Sequence, residues 1–196
     1  MTVDIKKSSD LKSDKMNSLI KTISDLISYM NDNFEQVVAA GFTAGDEFQI
    51  VMNCPRELLD LIFLLRVKLF VDFRIGIGLG VIENPSNGTP NQMYGPAFNM
   101  AREAVNEAKK ENLGIYFVCG DQKFSGEINI ILSLILLHRD RMTDNQRSIY
   151  DLYNYYIRFE NLKSQREFAE EIQVSDAMVS KTLKKLDIML FWRVKF

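Results

Sequence analysis

The sequence predicts an α+β fold: a mainly antiparallel sheet with helices packed on one face, followed by an all-helical domain. Two observations predict it. Up to Cys119 the apolar pattern gives the element order β-α-β-β-α-β-α-β, and its first six elements match the split βαβ arrangement. After Gly126 only helical patterns follow. We therefore expect one domain over residues 1–126 and a second over residues 127–196.

The elements of the first domain follow from apolar spacing and turn-forming residues. Apolar side chains recur every three or four positions from Met16 to Phe34, which indicates an amphipathic helix. Two strands flank a tight Gly-Asp turn, and Pro55 ends the second of them. The predicted elements are strand Thr2–Ile5, helix Met16–Phe34, strands Val37–Ala40 and Glu47–Met52, helix Arg56–Val71, strand Phe73–Ile82, helix Pro96–Lys110 and strand Ile115–Cys119.

The strand Phe73–Ile82 carries Gly76, Gly78 and Gly80 on alternate positions. A dinucleotide-binding fingerprint needs a strand that turns directly into a helix, whereas a loop over residues 83–93 follows this one. We therefore reject that motif. We expect the glycines to leave room for a helix, a partner or a ligand to approach the sheet.

Helical patterns fill the second domain, over Glu127–His138, Thr143–Ile157, Ser164–Glu171 and Ser175–Leu186. The last two predict a helix-turn-helix, because Ala169 is small where two helices cross and Ser175 can cap the second helix. The second helix would then contact duplex DNA through Ser180, Lys181, Lys184 and Lys185. The alternative is a protein-interaction module with the same fold.

Composition excludes several classes of protein. Lys and Arg number 24 against 26 Asp and Glu, so the chain as a whole is not a basic nucleic-acid coat. From His138 onward, however, 11 basic residues face 9 acidic ones. One histidine excludes sites with several imidazoles, and two distant cysteines offer no disulfide framework. Without a signal peptide or a membrane-spanning run, we expect a cytoplasmic protein with no membrane partner.

Acidic residues stand at two places that the predicted topology can bring together. Asp4 lies near the end of the first strand, and Asp46 and Glu47 follow Gly45 at the hairpin turn. Because the first and third strands can be neighbours, two or three carboxylates could meet at one sheet edge. Such a group suits one or two magnesium ions that hold a nucleotide triphosphate. The alternative is a capping Asp and an ordinary Gly-Asp turn.

The helix that begins at Gly95-Pro96 is a second candidate site. Free N–H groups at a helix N-terminus can bind phosphate, and Asn99 and Arg102 lie one turn apart. The alternative is a normally capped helix whose apolar side chains, including Phe98, face the core.

In order and spacing, these motifs resemble the SatD family over nearly the whole chain. They are Asp4-Ile5-x-x-Ser8, Gly45-Asp46-Glu47-Phe48-Gln49, Arg74-Ile75-Gly76-Ile77-Gly78, and Gly95-Pro96-Ala97-Phe98-x-x-Ala101-Arg102-Glu103-Ala104 with Ala108-Lys109-Lys110. That family is similar to the nucleotidyl-cyclase and GGDEF palm domains in its N-terminal part, with a helix-turn-helix behind. The resemblance implies a ferredoxin-like, nucleotidyl-cyclase-like sheet.

The resemblance also implies a site. Asp4 and the Ile5 carbonyl would contact Mg²⁺ or Mn²⁺, with Asp46 or Glu47 as the partner acid. Gly45 and Gly95 would lie beside the nucleotide. Asn99 and Arg102 would be catalytic, although Arg102 stands three residues after Asn99 where cyclases place their arginine four after. A homodimer is implied, because cyclases build their site between two subunits.

We expect a DNA-binding regulator whose cyclase-like domain binds a nucleotide or mediates dimerisation. One alternative is a magnesium-dependent nucleotidyl cyclase or nucleotidyltransferase that makes a cyclic or oligomeric nucleotide. The other is an interaction scaffold with an inactive site.

Overall fold

The structure, a computed structural model, describes residues 1–84, 88–160 and 164–184, except for the side chains of Ala44 and His138. These residues form a five-stranded mixed sheet and seven α-helices, which confirms the α+β class. They divide into two compact units. Unit 1 comprises Met1–Pro55 and Leu69–Leu136, and unit 2 comprises Arg56–Lys68 and the chain from Leu137 onward.

The strands and helices are numbered in chain order. The strands are β1 (Thr2–Ile5), β2 (Val37–Ala44), β3 (Glu47–Met52), β4 (Phe73–Leu79) and β5 (Ile115–Cys119). The helices are α1 (Ser13–Asn33), α2 (Leu58–Lys68), α3 (Pro96–Lys110), α4 (Gln122–Asp140), α5 (Asp144–Phe159), α6 (Gln165–Glu171) and α7 (Asp176–Lys184). None of these described helices combines the length and the apolar character that crossing a membrane requires.

The sheet has the strand order β2-β3-β1-β4-β5. β1 lies between β3 and β4 and is antiparallel to both, and β2 pairs antiparallel with β3. Only β4 and β5 are parallel. The predicted mainly antiparallel sheet is therefore confirmed, as is the expectation that the first and third strands are neighbours.

The alternating glycines of β4 lie directly against α3. A Cβ added to Gly78 would stand 2.3 Å from the backbone nitrogen of Ala101 and 2.3 Å from the carbonyl oxygen of Ala97. Gly76 is equally close to α3, with 2.3 Å to the carbonyl oxygen of Ala101. Of the three occupants predicted for the space beside these glycines, the structure has the helix.

Both faces of the sheet are covered. α3 occupies the face that carries Gly76 and Gly78. The opposite face carries Val3, Phe48 and Ile75, which pair across neighbouring strands and are fully buried. α3 lies on the glycine face because the chain after β4 crosses that face on its way to β5.

Several helix and strand ends differ from the predicted ones. β4 ends at Leu79 rather than Ile82. α4 begins at Gln122 rather than Glu127, because the Asp121 carboxylate accepts a hydrogen bond from the N–H of Phe124 at 3.0 Å and caps the helix. The division expected between residues 126 and 127 thus falls inside α4. The second compact unit also includes α2, which the sequence analysis placed in the first domain.

Candidate functional site

Asp4 of β1 and Glu47 of β3 lie where these two strands of unit 1 run side by side. We call this end of the two strands the acidic edge. Val3 pairs with Phe48 and Thr2 pairs with Gln49, so Asp4 and Glu47 occupy the next positions of the same register. Gln49 donates a hydrogen bond to Thr2 Oγ1 at 3.2 Å, which places these alternate side chains on one face. Asp4 and Glu47 therefore lie at neighbouring positions on the face that α3 covers.

Each of these two carboxylates is paired with a cation of α3. Lys109 Nζ lies 2.7 Å from Asp4 Oδ1, and Arg102 Nη2 lies 3.7 Å from Glu47 Oε1. Lys109 and Arg102 are seven residues apart, which is two helical turns, so both reach the sheet from the same side of the helix. Arg74, the cross-strand partner of Asp4, brings Nη1 to 3.6 Å from its other oxygen, Oδ2.

This donor set does not fit a divalent metal ion. Both oxygens of Asp4 face cations, and its side chain is only 14% exposed. Glu47 also accepts a hydrogen bond from Thr43 Oγ1 at 2.9 Å. Within the described residues, no group of three or more His, Cys, Asp and Glu side chains is placed to hold a metal. The acids of this edge serve as ion-pair partners of α3.

The remaining residues of the predicted metal site lie around this edge. Ile5 is buried and pairs with Phe73 of β4. Gly45 and Asp46 form the two-residue turn between β2 and β3, and Gly45 has a φ of 60°, which favours glycine. The predicted Gly-Asp turn is therefore present at these two residues. The Asp46 side chain is partly buried.

The first N–H groups of α3 are not free to bind a phosphate. Its first residue, Pro96, has no N–H. The N–H of Ala97 donates to the carbonyl of Val81 at 3.2 Å, and that of Phe98 donates to the carbonyl of Gly95 at 3.1 Å. The first three residues of α3 thus present no N–H for a ligand. Gly95 has a φ of 131°, and a Cβ there would stand 2.6 Å from the Val81 carbonyl oxygen.

The predicted catalytic pair lies farther along the same helix. Asn99 is exposed, and the Arg102 side chain is 66% exposed although its guanidinium reaches Glu47. The structure therefore brings Arg102 to the acidic edge. It does so as the counter-ion of an acid that was predicted to bind metal.

The second candidate site is the pair of short helices α6 and α7 in unit 2. Ser164 caps α6 by accepting the N–H of Glu167 at 3.1 Å, and Ser175 accepts the N–H of Met178 at 3.2 Å at the start of α7. Gln173, in the turn between them, has a φ of 55°. α6 and α7 are therefore two capped helices that a four-residue turn joins.

A small apolar core seats α6 and α7 on α5. Its buried residues are Ile149, Phe168, Ala169 and Val179. Phe168 lies edge-on against two tyrosine rings of α5, with centroids 5.3 Å from Tyr153 and 5.5 Å from Tyr156. Ala169 thus lies in the core beneath the crossing helices, as its small size predicted.

The outer side of α7 carries the basic residues of this region. Lys181 and Lys184 are exposed, whereas Ser180 is half-buried. Lys185 lies outside the described residues. On α6, by contrast, Arg166 is paired with Glu170 at 3.1 Å. The described cations of these two helices are Arg166, Lys181 and Lys184. Of these, the two lysines of α7 have no acidic neighbour on their own helix face.

The sequence matches the SatD family over residues 3–196. The chain belongs to the SatD family. Comparisons with curated proteins and with solved structures found no match.

Two residues of the SatD chain's acidic edge, Lys109 and Arg74, were not identified as site residues from the sequence. Both stand within the motifs that carry the family resemblance, in Ala108-Lys109-Lys110 and Arg74-Ile75-Gly76. The available signal was the seven-residue spacing between Arg102 and Lys109, which puts two cations on one side of a helix.

Proposed function

We propose that this SatD-family protein binds double-stranded DNA through α7 and acts as a DNA-binding regulator. The observation that carries the proposal is the seating of α6 and α7 on α5, which leaves Lys181 and Lys184 exposed on the outer side of α7. A helix held in this way by a preceding capped helix and a short turn suits insertion into the major groove.

In the proposed complex, the beginning and the end of α7 contact different parts of the DNA. Its first residues, Asp176 and Ala177, are exposed and would face base edges, where a carboxylate can accept a hydrogen bond from cytosine N4. Lys181 and Lys184 lie one and two turns farther along and would contact phosphate oxygens. α6 would remain off the phosphates, because Glu170 and Glu171 are exposed on it.

Unit 1 serves this regulator as a dimerisation domain with little or no turnover. The family resemblance allows nucleotide binding or dimerisation for such a domain. Dimerisation is favoured because Asp4 is occupied by Lys109 and Arg74, and because the first N–H groups of α3 are bonded within the chain. A dimer would present two α7 helices to two half-sites of an operator.

The proposal is tested by fluorescence anisotropy of the full chain with labelled mixed-sequence duplex DNA at low salt. Wild type should bind, and the double variant Lys181→Ala/Lys184→Ala should bind at least tenfold more weakly, since two phosphate contacts are lost. Lys21→Ala, which removes an exposed lysine of α1, is the matched control and should bind like wild type. Absence of binding by wild type, or equal loss in all variants, would overturn DNA recognition by α7.

A further inference from the structure

The helix α4 carries an unusual row of exposed aliphatic side chains. Ile130, Ile131, Leu134 and Leu137 are 63%, 52%, 62% and 51% exposed. Positions separated by three, four and seven residues lie on one side of a helix, so the four side chains form one continuous stripe. We call these four residues the α4 stripe.

The α4 stripe is as large as the largest apolar patch of a typical monomer, and such patches are often functional. Four aliphatic side chains, each more than half exposed, present on the order of 400 Å² of contiguous apolar surface, which falls in the range of the largest patch on a typical monomer. Single exposed apolar residues need no explanation, but a row of four along one helix does.

Charges continue the α4 stripe in both directions. Glu127 lies seven residues before Leu134 and Arg141 lies seven residues after it, and both are exposed. Seven residues are two turns, so both charges lie close to the line of the stripe. The N–H of Arg141 donates to the Leu137 carbonyl at 3.3 Å, which continues the helical bonding to this position. An acid therefore precedes the stripe and a base follows it.

We propose that the α4 stripe is the contact surface for a second copy of this chain, packed as an antiparallel α4–α4 pair with its two-fold axis at Leu134. In that arrangement Glu127 of each copy faces Arg141 of the other, while Ile131 faces Leu137. A parallel pair would instead set Glu127 against Glu127 and Arg141 against Arg141. The charge pattern thus matches this helix to itself in one orientation.

The buried area indicates how strong the contact between two α4 stripes is, and the flanking charges indicate which partner fits. Two stripes bury about 800 Å² in total, which is below the range of standard specific interfaces and belongs to weak, transient contacts, so the dimer should be weak and concentration-dependent. A membrane surface fits less well, because amphipathic membrane helices flank their apolar face with Lys and Arg, whereas the exposed Lys123 here is matched by Glu127. The inference rests on the dimerisation proposed above and gives it a surface on the single helix α4, whose first three stripe residues belong to unit 1.

The test is sedimentation equilibrium of the full chain over a wide range of concentrations. Wild type should show a reversible monomer–dimer equilibrium, and Leu134→Glu should weaken it by roughly tenfold or more, since two carboxylates would meet at the axis. Val81→Glu is the matched control: Val81 is 66% exposed but lies off α4, so the dimer should persist. Near-ultraviolet circular dichroism checks that every variant is folded.

A charge exchange tests the orientation. Glu127→Arg should weaken the dimer, because the introduced guanidinium would face Arg141 of the second copy. The double variant Glu127→Arg/Arg141→Glu should restore the dimer. A parallel pair predicts no such rescue. A monomeric wild type, a folded Leu134→Glu that still dimerises, or loss of dimer only in Val81→Glu would each overturn the proposal.

Two further outcomes would assign the stripe to another occupant. Wild type that is monomeric but loses thermal stability in Leu134→Glu would indicate that the chain covers its own stripe. Binding of wild type, but not Leu134→Glu, to vesicles of phosphatidylcholine and phosphatidylglycerol would indicate a lipid surface. DNA anisotropy of Leu134→Glu on a labelled mixed-sequence duplex too short for two copies should match wild type, so failure of this inference is distinguishable from failure of DNA binding.

Discussion

Arg139 donates a hydrogen bond from Nη2 to Oδ2 of Asp151 at 2.6 Å, which ties the end of α4 to α5 within unit 2. Arg66 of α2 approaches the other carboxylate oxygen, Oδ1, at 3.8 Å. Burial lowers the pKa of Arg66 to about 10, a sign of how little water reaches this group. Asp151, 6% exposed, therefore holds two guanidinium groups from two other helices.

Removing this shared carboxylate should destabilise unit 2. We expect Asp151→Ala to lower the free energy of unfolding by about 3 kcal/mol, because two mostly buried cations would lose their shared partner. Asp144→Ala is the matched control, since Asp144 is exposed and pairs with Arg147 on the same helix; it should change stability by less than about 1 kcal/mol. Urea denaturation followed by circular dichroism measures both. Equal effects would show that the Asp151 pairs contribute no more than a surface pair.

The glycines of β4 should tolerate no side chain. We expect Gly78→Ala to lower the free energy of unfolding by about 3 kcal/mol, because its Cβ would press on the backbone of Ala97 and Ala101 and move α3. Gly126→Ala is the control: Gly126 lies inside α4, where an added Cβ would meet no atom from outside its own helical turns within 4 Å, and the substitution should stabilise the helix by up to about 1 kcal/mol. Thermal denaturation of both variants gives the comparison. A neutral Gly78→Ala would mean that α3 does not lie this close.

Local signals predicted most of the elements of this fold. The recurrence of apolar side chains every three or four positions predicted α1, and Gly95-Pro96 predicted the start of α3. Thr143 and Gln146 form a capping box at the beginning of α5, where the sequence placed a helix. α4 begins five residues before the predicted Glu127, because the helix-capping residue Asp121 precedes the change of pattern at Gly126 on which the predicted domain boundary rests.

The site could be predicted only in part, because its contacts are not local. Asp4 and Glu47 meet through strand pairing, which the element order implied. The cations that neutralise them arrive on α3, and Lys109 is more than a hundred residues from Asp4 along the chain. No spacing within the sequence states that α3 crosses the glycine face of the sheet. Acidic residues at a sheet edge therefore suggested a metal, whereas packing of α3 supplies lysine and arginine.

Alkaline pH should lower the stability of the folded protein through the buried phenol of Tyr150. Burial raises the pKa of Tyr150 to about 12, from an ordinary value near 10. Because the folded protein holds this proton more tightly, the stability it contributes is complete below pH of about 10 and is lost as the pH rises to about 12. Urea denaturation between these values should show a shallower loss of stability in Tyr150→Phe than in wild type. Burial also lowers the pKa of Arg66, and this contribution is common to both proteins.

The same comparison has a control in Tyr29, which is 40% exposed. Tyr29→Phe shows the effect of removing an exposed phenol hydroxyl. If Tyr150→Phe loses stability between these pH values as steeply as wild type, the hydroxyl of Tyr150 is reached by water in the folded state.

Salt should distinguish the lysines of α7 from other surface lysines. Removing one phosphate contact lowers the slope of log K against log salt by about 1, and it weakens binding about equally for all sequences. We expect this result for Lys181→Ala, measured by anisotropy between about 50 and about 200 mM salt. Asp176→Ala should instead change the preference among sequences and leave the slope unchanged. An unchanged slope in Lys181→Ala would remove this lysine from the DNA contact.

The sign of one stability change separates the two interpretations of the acidic edge. If Asp4 belonged to a cluster of repelling carboxylates that awaits a metal, Asp4→Asn would stabilise the metal-free protein. The structure pairs Asp4 with Lys109 at 2.7 Å and with Arg74 at 3.6 Å, so we expect Asp4→Asn to lower the free energy of unfolding by about 1–2 kcal/mol. Asp46→Asn, at the hairpin turn, should leave stability nearly unchanged. Thermal denaturation with and without Mg²⁺ and a nucleotide triphosphate measures both effects. Stabilisation by Asp4→Asn, together with a rise of the wild-type melting temperature that requires Mg²⁺ and nucleotide, would restore the metal site and count against ion pairing as the role of this edge.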